Sequence, residues 1–482
     1  MPNFVASVGM EVHAELNTQS KMFCRCPVAF GGEPNTRVCP ICLGLPGTLP
    51  VPNHKAIELV LRTALALNCK IAMNSIFHRK NYFYPDLPKG YQVSQYGDTN
   101  PLGYEGYLDI PTDDGKTKRV AIRRVHLEED TGKLMHLPSG GSGVDYNRAG
   151  VPLMEIVTEF PPDITNPDEA KDYLTQLRQT LLYLGVCDGK MEEGSLRCEP
   201  NISVRIEGTD KYGTKTELKN LNSFRSVQLG VQFEVRRQIA VVEQGGTVAQ
   251  ETRGWNEQKE SSYLMRVKEA ENDYRYFPDP DLVPMCFDED YIENLRSSLP
   301  ELPLAKLLRY QKDYGLNAKH AEVVCNDLDR VVFFEEAVRE GGEPQSVYNW
   351  LTGDFAKLLN DRGLTPKESK ITAAHIVDLT KLVATDTISS KTAKEVFAKA
   401  FESGRLPSEI VQESGATKIS DETAIRSLAL DVLKGNPEVV EKYKSGQANV
   451  KGFLVGQVMR QSGGRANPEM VQRIVGEELE KQ

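Results

Sequence analysis

Hydrophobic and polar residues alternate along several short segments in the first part of the chain. A period of two residues is typical of strands that bury one face and leave the other polar. The segments with this pattern are residues 8–16, 120–128, 153–157 and 196–206. These segments therefore predict a β-sheet with one apolar and one polar face.

A different period follows Asn166, which is suited to cap a helix. Pro167 suits the first turn of this helix, and Glu169 can complete a capping-box-like pair with Asn166. An apolar stripe at helical spacing continues from there and stops before Gly185, and its members are Tyr173, Leu174, Leu177, Leu181 and Leu184. Hairpin-like strands with few crossover helices favour an α+β fold over a doubly wound sheet.

The pattern changes near residue 295, and nearly every later segment has helical periodicity, as in residues 323–338 and 373–384. Residues 402–407 contain Gly and Pro and are typical of a hinge between helical units. A chain of 482 residues is too long for one compact core. We therefore predict three domains, at residues 1–294, 295–408 and 409–482.

The net charge of −10 argues against a strongly nucleic-acid-binding surface over the whole molecule. Residues 442–473, however, hold six Lys or Arg and one acid, which fits either a solvated face or a binding surface for a polyanion. No apolar run approaches the ~20 residues that span a bilayer. The N-terminus resembles neither a secretory nor a transit peptide, so we expect a cytoplasmic protein without a membrane partner.

Carboxylates and imidazoles recur on the polar faces of the predicted strands. Glu11, His13 and Glu15 share one face, and Arg124, His126 and Glu128 share another. Glu155 lies inside an apolar strand, where an unpaired carboxylate would be costly to bury. Oxygen ligands in this number suggest a Mg²⁺ site. A solvent-exposed polar sheet face is the alternative.

Cations and aromatic residues are mixed in residues 77–92, where Arg79, Lys80 and Lys89 accompany several tyrosines. Such a segment can bind phosphates and stack a base, although a Pro-rich loop that packs its aromatics has the same composition. Arg197 belongs to a polar strand face that either lines a cleft or faces water. No Walker A loop, kinase glycine loop or dinucleotide fingerprint is present.

Four of the nine cysteines are clustered in two close pairs, which are Cys24, Cys26, Cys39 and Cys42. Four thiolates can close a tetrahedral Zn²⁺ site and leave no position open for substrate, so a structural site is favoured. Free or redox-active thiols are the alternative. The five scattered cysteines are expected to be reduced and buried.

Several motifs, in order along the chain, resemble the B subunits of aspartyl/glutamyl-tRNA(Asn/Gln) amidotransferases. They include Gly-Met-Glu-Val-His at 9–13, Arg-Lys-Asn-Tyr-Phe-Tyr-Pro-Asp at 79–86, and His-Leu-Glu-Glu-Asp-Thr-Gly-Lys at 126–133. Further matches lie at 145–156, 192–198, 217–224, 273–278 and 452–459. No large insertion follows residue 295, which resembles the bacterial B type rather than the archaeal E type.

The resemblance implies an antiparallel-sheet cradle related to the glutamine synthetase/guanidino kinase fold, then an all-α domain and a small all-α YqeY-like tail. It also implies a heterotrimer that includes an amidase-type A subunit and a small C subunit. The implied activity is ATP-dependent phosphorylation of the side-chain carboxylate of Glu-tRNA(Gln) or Asp-tRNA(Asn), followed by amidation with ammonia from glutamine.

Motif matching assigns residues to roles within that activity. Glu11, His13, Glu128 and Glu155 are the predicted catalytic and Mg²⁺-binding residues, with Glu129 as a substitute for Glu128. The predicted phosphate or ATP contacts are Arg79, Lys80, Lys89 and Arg197. The tail residues Lys451, Arg460 and Arg465 are predicted to contact tRNA, and the four clustered cysteines to bind Zn²⁺.

Two other functions are compatible with parts of the sequence. An ATP-dependent ligase that acts on a free small carboxylate would keep the fold but leave the basic tail unused. A non-catalytic, zinc-stabilised RNA-binding protein would leave the Glu/His strands unexplained.

Overall fold

The computed structural model describes residues 3–96, 101–112, 116–137, 140–267, 274–414, 422–445, 447–463 and 466–481. The chain divides into two compact units, Met1–Lys306 and Leu307–Gln482. The three domain limits predicted from the sequence stay a prediction.

Strands within the described residues all belong to the first unit. In chain order, β1 to β16 are Phe4–Glu15, Lys70–Ile71, Asn74–Ser75, His78–Asn81, Tyr91–Ser94, Gly103–Pro111, Thr117–Glu129, Lys133–His136, Ser142–Asp145, Pro152–Thr158, Leu196–Ile206, Thr216–Lys219, Glu251–Asn256, Ser261–Val267, Phe277–Pro278 and Met285–Cys286.

Helices occur in both units. In chain order, α1 to α16 are His54–Ala66, Pro167–Tyr183, Phe224–Glu243, Glu289–Ser297, Pro303–Tyr314, Ala318–Cys325, Leu328–Arg339, Pro344–Thr352, Asp354–Arg362, Ala373–Ala384, Ser390–Ser403, Pro407–Ser414, Glu422–Gly435, Pro437–Lys444, Lys451–Gln461 and Pro468–Glu480. Short 3₁₀ helices lie at Pro366–Glu368 and Ala448–Val450.

The main sheet of the first unit has, over the described residues, the strand order β14-β13-β12-β11-β1-β10-β7-β6-β2. β12 and β13 pair in parallel, whereas the neighbours on both sides of β1 pair antiparallel to it. Helices α1, α2 and α3 pack against β6, β7 and β11. This arrangement confirms the predicted α+β class with an antiparallel-dominated sheet followed by helices.

Strand alternation gives the sheet two chemically different faces. Met10, Val12 and Ala14 of β1 are fully buried in the main hydrophobic core. The residues between them, Glu11 and His13, point to the opposite face and are only partly buried. The helices therefore cover one face, and the other face carries the polar residues of the candidate site.

The predicted helix after Asn166 is confirmed as α2. The Asn166 side chain accepts a hydrogen bond from the Glu169 N–H, and the residues of the apolar stripe are buried. Glu169 does not complete a capping box with Asn166, because its carboxylate accepts the Thr165 N–H at 2.8 Å instead. Gly185 follows the helix with φ +66°, a left-handed conformation that suits glycine.

The elements of the second unit, within its described residues, are all helices. The segment 373–384 is a single helix, α10, as its periodicity predicts. The segment 323–338 is not, because α6 ends at Cys325 and the Asp327 side chain caps α7 by accepting the Arg330 N–H. Helices α13, α15 and α16 share a small core of their own.

Four of the five scattered cysteines are buried, as expected, whereas Cys286 is exposed. Cys286 ends the two-residue strand β16, which pairs with β3 away from the main sheet. Such a short strand covers little surface, so the expectation that this thiol is buried is wrong.

Candidate active site

A row of ionisable side chains crosses four adjacent strands of the main sheet. His126 of β7 pairs in register with Glu155 of β10, Glu155 with His13 of β1, and His13 with Arg197 of β11. Each residue lies at a polar position of its strand, so all four side chains point into the same cleft. The lining residues enclose a volume of about 410 Å³.

His13 lies at the centre of three carboxylates. Its Nε2 atom is 3.3 Å from Glu155 Oε2, 3.7 Å from Glu128 Oε1 and 3.8 Å from Glu11 Oε1. His126 approaches two of the same groups, with Nε2 3.4 Å from Glu155 Oε2 and 3.8 Å from Glu128 Oε2. The structure thus brings together the four residues predicted to bind Mg²⁺.

The carboxylates of this cluster lose solvation and repel one another. Burial first, and then the charge of Glu155, raise the pKa of Glu11 to about 7. Burial opposes protonation of His13, but the Glu155 hydrogen bond and the surrounding carboxylates raise its pKa to about 9. Despite its own burial, Glu155 has a pKa well below the usual value because His126 and His13 face it. The cleft therefore favours binding of positive charge, which a cation or protons can supply.

The cluster fits a divalent cation on two counts. Ligands around an octahedral Mg²⁺ with bonds near 2.1 Å are separated by about 3.0 to 4.2 Å, and the distances around His13 fall in this range. Ligand atoms of Glu11, His13 and Glu155 all lie within 4.8 Å of one another, as do those of His126, Glu128 and Glu155. Three carboxylates with two imidazoles also suit Mn²⁺.

Several cations line the cleft around the carboxylates, and Arg124 Nη2 lies 3.5 Å from Glu155 Oε1. Lys80 lines the cleft with its ammonium 5.0 Å from the Tyr274 ring, and despite its burial Glu128 and Glu155 raise its pKa. Arg197 Nη2 donates to Asp130 Oδ2 at 2.7 Å. Lys219 Nζ lies 2.5 Å from Glu199 Oε2. Phosphate oxygens would find charged donors on both sides of the cluster.

Arg79 and Lys89, the other two predicted phosphate contacts, are not brought into this cleft. They line a neighbouring cavity of about 230 Å³ beside the clustered cysteines. Arg79 is paired with Asp279 at 2.8 Å and Asp281 at 2.9 Å. Lys89 is paired with Glu129. Their role in phosphate binding stays a prediction, and in this structure both cations already have carboxylate partners.

Glu128 and Glu129 point in different directions. Glu128 accepts a hydrogen bond from Ser94 Oγ at 3.1 Å and faces both histidines. Glu129 accepts from the Val93 N–H at 2.9 Å and pairs with Lys89 in the neighbouring cavity. Sequence reasoning missed Ser94, although Gln92 and Ser94 alternate with Val93 and this pattern assigns them to one face.

The four clustered cysteines converge next to β1. Their Sγ atoms lie within 4.8 Å of one another, and sulfurs of a tetrahedral Zn²⁺ site with 2.3 Å bonds are about 3.8 Å apart. The Cys39 N–H donates to Cys42 Sγ at 3.2 Å. The Cys24 hydrogen bond, the Cys39 N–H and the charge of Lys21 lower the pKa of Cys42 to about 4. The donor set fits a zinc-thiolate centre.

The tail residues predicted to contact tRNA are partly described. Arg460 is exposed near the end of α15. Lys451 lies at the start of that helix and reaches toward Gly476 of α16. A Cβ added to Gly476 would lie 2.6 Å from the Nζ atom of Lys451. Arg465 lies outside the described residues. Neither Lys451 nor Arg460 has an ion-pair partner among the residues that the structure describes.

The first unit has the fold of a catalytic domain. The GatB/GatE catalytic domain family matches residues 6–293, and the GatB domain family matches residues 332–479.

None of the described helices combines the length and apolar character needed to cross a membrane.

Relatives match over nearly the whole chain. The B subunit of the aspartyl/glutamyl-tRNA(Asn/Gln) amidotransferase from Caldanaerobacter subterraneus subsp. tengcongensis is 52% identical over 478 residues, which are 99% of this chain and 100% of the relative. The protein of the same name from Brevibacillus brevis is 50% identical over 480 residues, 99% of each chain. The chain therefore belongs to the family of aspartyl/glutamyl-tRNA(Asn/Gln) amidotransferase B subunits.

Proposed function

We propose that this chain uses ATP to activate the side-chain carboxylate of glutamate or aspartate carried on tRNA, so that ammonia converts it to an amide. The supporting observation is the cluster of Glu11, His13, Glu128 and Glu155 in a cleft bordered by Lys80, Arg197 and Lys219. Such a site can hold a cation and a polyphosphate side by side, which phosphoryl transfer requires.

The proposed reaction has two steps. A side-chain carboxylate oxygen attacks the γ-phosphorus of ATP, and the bond from that phosphorus to the ADP oxygen breaks. Ammonia then attacks the acyl carbon of the resulting acyl phosphate, and inorganic phosphate leaves with the C–O bonding pair. Activation is needed because phosphate is a far better leaving group than oxide. A bound Mg²⁺ would supply neutralisation of phosphate charge.

Side chains of the cleft have separate tasks in this proposal. Glu11, Glu128 and Glu155, with His13, would hold the cation. Lys80, Arg197 and Lys219 would orient phosphate oxygens, because all three line the cleft that holds those carboxylates. Asp130 fixes Arg197 through the 2.7 Å hydrogen bond, so the guanidinium is oriented before a ligand binds.

The relatives' names support further parts of the proposal. Those names describe one subunit of an enzyme that acts on aspartyl- and glutamyl-tRNA. We therefore propose that this chain works with a glutamine-hydrolysing A subunit and a small C subunit, and that Lys451, Arg460 and Arg465 contact the tRNA backbone. The four clustered cysteines would bind structural Zn²⁺.

The test is trapping of the acyl phosphate. The reconstituted complex is incubated with ATP, Mg²⁺ and Glu-tRNA(Gln), and hydroxylamine converts the acyl phosphate to a hydroxamate on the tRNA. Glu155→Gln should reduce hydroxamate formation at least about 100-fold, a loss of about 2.7 kcal/mol of transition-state stabilisation. Glu243→Gln, at an exposed carboxylate near the end of α3, is the matched control.

Other outcomes identify other functions. Normal hydroxamate formation by Glu155→Gln would show that the cleft is not the site of activation. Equal ATP turnover with free glutamate and with Glu-tRNA(Gln) would favour the ligase for small carboxylates. Tight RNA binding without ATP turnover in the complete complex would favour the non-catalytic RNA-binding role.

A further inference from the structure

Lys21 is a buried cation next to the clustered cysteines. It follows β1 in a segment that leads into the cysteine loop, and its side chain is only 1% exposed. Its backbone N–H donates to the Cys26 carbonyl at 2.9 Å, which fixes the residue against that loop. The backbone of Lys21 is therefore held by the turn that carries Cys24 and Cys26.

The ammonium of Lys21 has two hydrogen-bond acceptors. Nζ lies 3.7 Å from Cys42 Sγ and 3.2 Å from the Tyr146 carbonyl oxygen. Among the described residues, no carboxylate lies within ion-pair distance of it. Glu129, which is nearby, is paired with Lys89. The Cys42 sulfur is therefore one of the two acceptors that this buried ammonium contacts directly.

The neighbouring loop packs against this contact. Gly150 has φ +84°, and a Cβ added to it would lie 3.6 Å from both Cys42 Cβ and Lys21 Cδ. Its carbonyl accepts the Met22 N–H at 2.7 Å. Lys21 is thus enclosed between the cysteine loop and residues 146–150, where water has little access to screen its charge.

We propose that Lys21 is a positioning residue for a zinc-thiolate centre, because it offsets the negative charge of the thiolates and holds Cys42 in its ligating position. The inference rests on the proposed Zn²⁺ site. Four thiolates around one divalent cation carry a net charge of −2. The adjacent ammonium changes the net charge of this region to −1. Outer groups that donate to metal ligands typically change metal affinity 10- to 100-fold.

The test measures metal binding by the full chain and does not depend on amidation activity. Lys21→Met keeps the side-chain length and removes the charge, Lys21→Arg keeps the charge, and Lys55→Met removes an exposed lysine of α1 as the matched control. Zn²⁺ affinity is measured by competition with a chelating dye. Co²⁺ substitution then reports the sulfur-to-metal charge-transfer absorption.

Lys21→Met is expected to weaken Zn²⁺ binding about 10- to 100-fold and to reduce the Co²⁺–thiolate band, whereas Lys21→Arg and Lys55→Met stay near wild type. Equal affinity of Lys21→Met and Lys55→Met would overturn the proposal. If Lys21→Met does not fold, the Zn²⁺ affinity of Lys21→Arg is the deciding measurement. Wild-type Zn²⁺ affinity of Lys21→Arg supports the role of the charge, and weak Zn²⁺ binding contradicts it.

A different result is expected if the proposed Zn²⁺ site itself is wrong. A wild-type chain that binds neither Zn²⁺ nor Co²⁺ through thiolates would remove both the zinc site and the role of Lys21. That result would leave the hydroxamate test of the acidic cleft unaffected, because the two sites contain different residues.

Discussion

Glu128 and Glu129 are neighbours in the chain whose carboxylates have different surroundings. Strand alternation predicts that Glu128 lies beside His126, and in the structure Glu128 faces both histidines. Glu129 instead balances the charge of Lys89. The choice between the two acids as cation ligand can therefore be tested one residue at a time.

Glu128→Gln is expected to weaken Mg²⁺ binding more than about 10-fold, since it removes a charged ligand. Glu129→Gln should leave the Mg²⁺ affinity near wild type and lower stability by about 3 kcal/mol, because Lys89 would lose its buried partner. Titration calorimetry with Mg²⁺ and thermal unfolding of the same two variants measure both effects. The reverse pattern would show that Glu129 is the ligand.

The carboxylate cluster could be predicted from the sequence, whereas the ion pairs of Arg79 and Lys89 could not. Glu11, His13, Glu128 and Glu155 are selected by their match to family motifs, and strand alternation favours Glu128 over Glu129 because it lies on the same side as His126. Arg79 depends on Asp279, which is 200 residues away in the sequence. No local pattern indicates a pair of that separation.

Helix α2 shows how a predicted element acquires a specific stabilising contact. Asn166 caps it as the sequence indicates, but Glu169 turns outward to Lys118 at 2.7 Å and to the Thr165 N–H. Burial of Glu169 opposes ionisation, yet Lys118 and Thr165 lower its pKa below the usual value. The stabilising effect of the ionised Glu169 side chain is therefore complete above the pKa that Glu169 has in the unfolded state. This effect is lost as the pH falls through the pKa that Glu169 has in the folded state.

Glu169→Gln should lower the free energy of unfolding by about 1 kcal/mol at pH 7. The difference from wild type should shrink below about pH 4.5, where protonation removes the same charge from the wild-type side chain. Urea unfolding at several pH values, monitored by circular dichroism, measures this difference in the free energy of unfolding. Glu243→Gln serves as the exposed control, and an effect of Glu169→Gln that does not change with pH would contradict the ion-pair explanation.

Element boundaries were harder to predict where two signals competed. Residues 323–338 keep a helical apolar period through Asn326 and Asp327, yet these residues end one helix and cap the next. Caps can outweigh periodicity because a side-chain acceptor satisfies a backbone N–H that a helix end leaves open. Strand order in the main sheet had no local signal at all, since β1 pairs with strands far along the chain.

At the scale of the whole molecule, the acidic cleft and the basic tail belong to different compact units. The net charge of −10 is a sum over the whole chain and hides the excess of Lys and Arg in residues 442–473. A polyanion such as tRNA would be attracted by the tail even though the complete chain is acidic.

Lys451→Ala and Arg460→Ala are expected to weaken tRNA binding and to reduce the slope of log K against log salt by about 1 for each phosphate contact removed. Lys394→Ala is the control, because Lys394 is paired with Asp354 in the same unit. Fluorescence anisotropy with labelled tRNA at several salt concentrations measures both quantities. Unchanged slopes for both tail variants would exclude these residues from the interface.

The position of β1 in the sheet has a consequence during synthesis of the chain. β1 spans Phe4–Glu15, but its two neighbours are Pro152–Thr158 and Leu196–Ile206. At about 5 to 20 residues per second, the second neighbour leaves the ribosome roughly 10 to 40 s after β1. Until then at least one edge of β1 stays open and its apolar face lacks a complete sheet, which makes the nascent segment a typical target for a chaperone that holds unfolded chains.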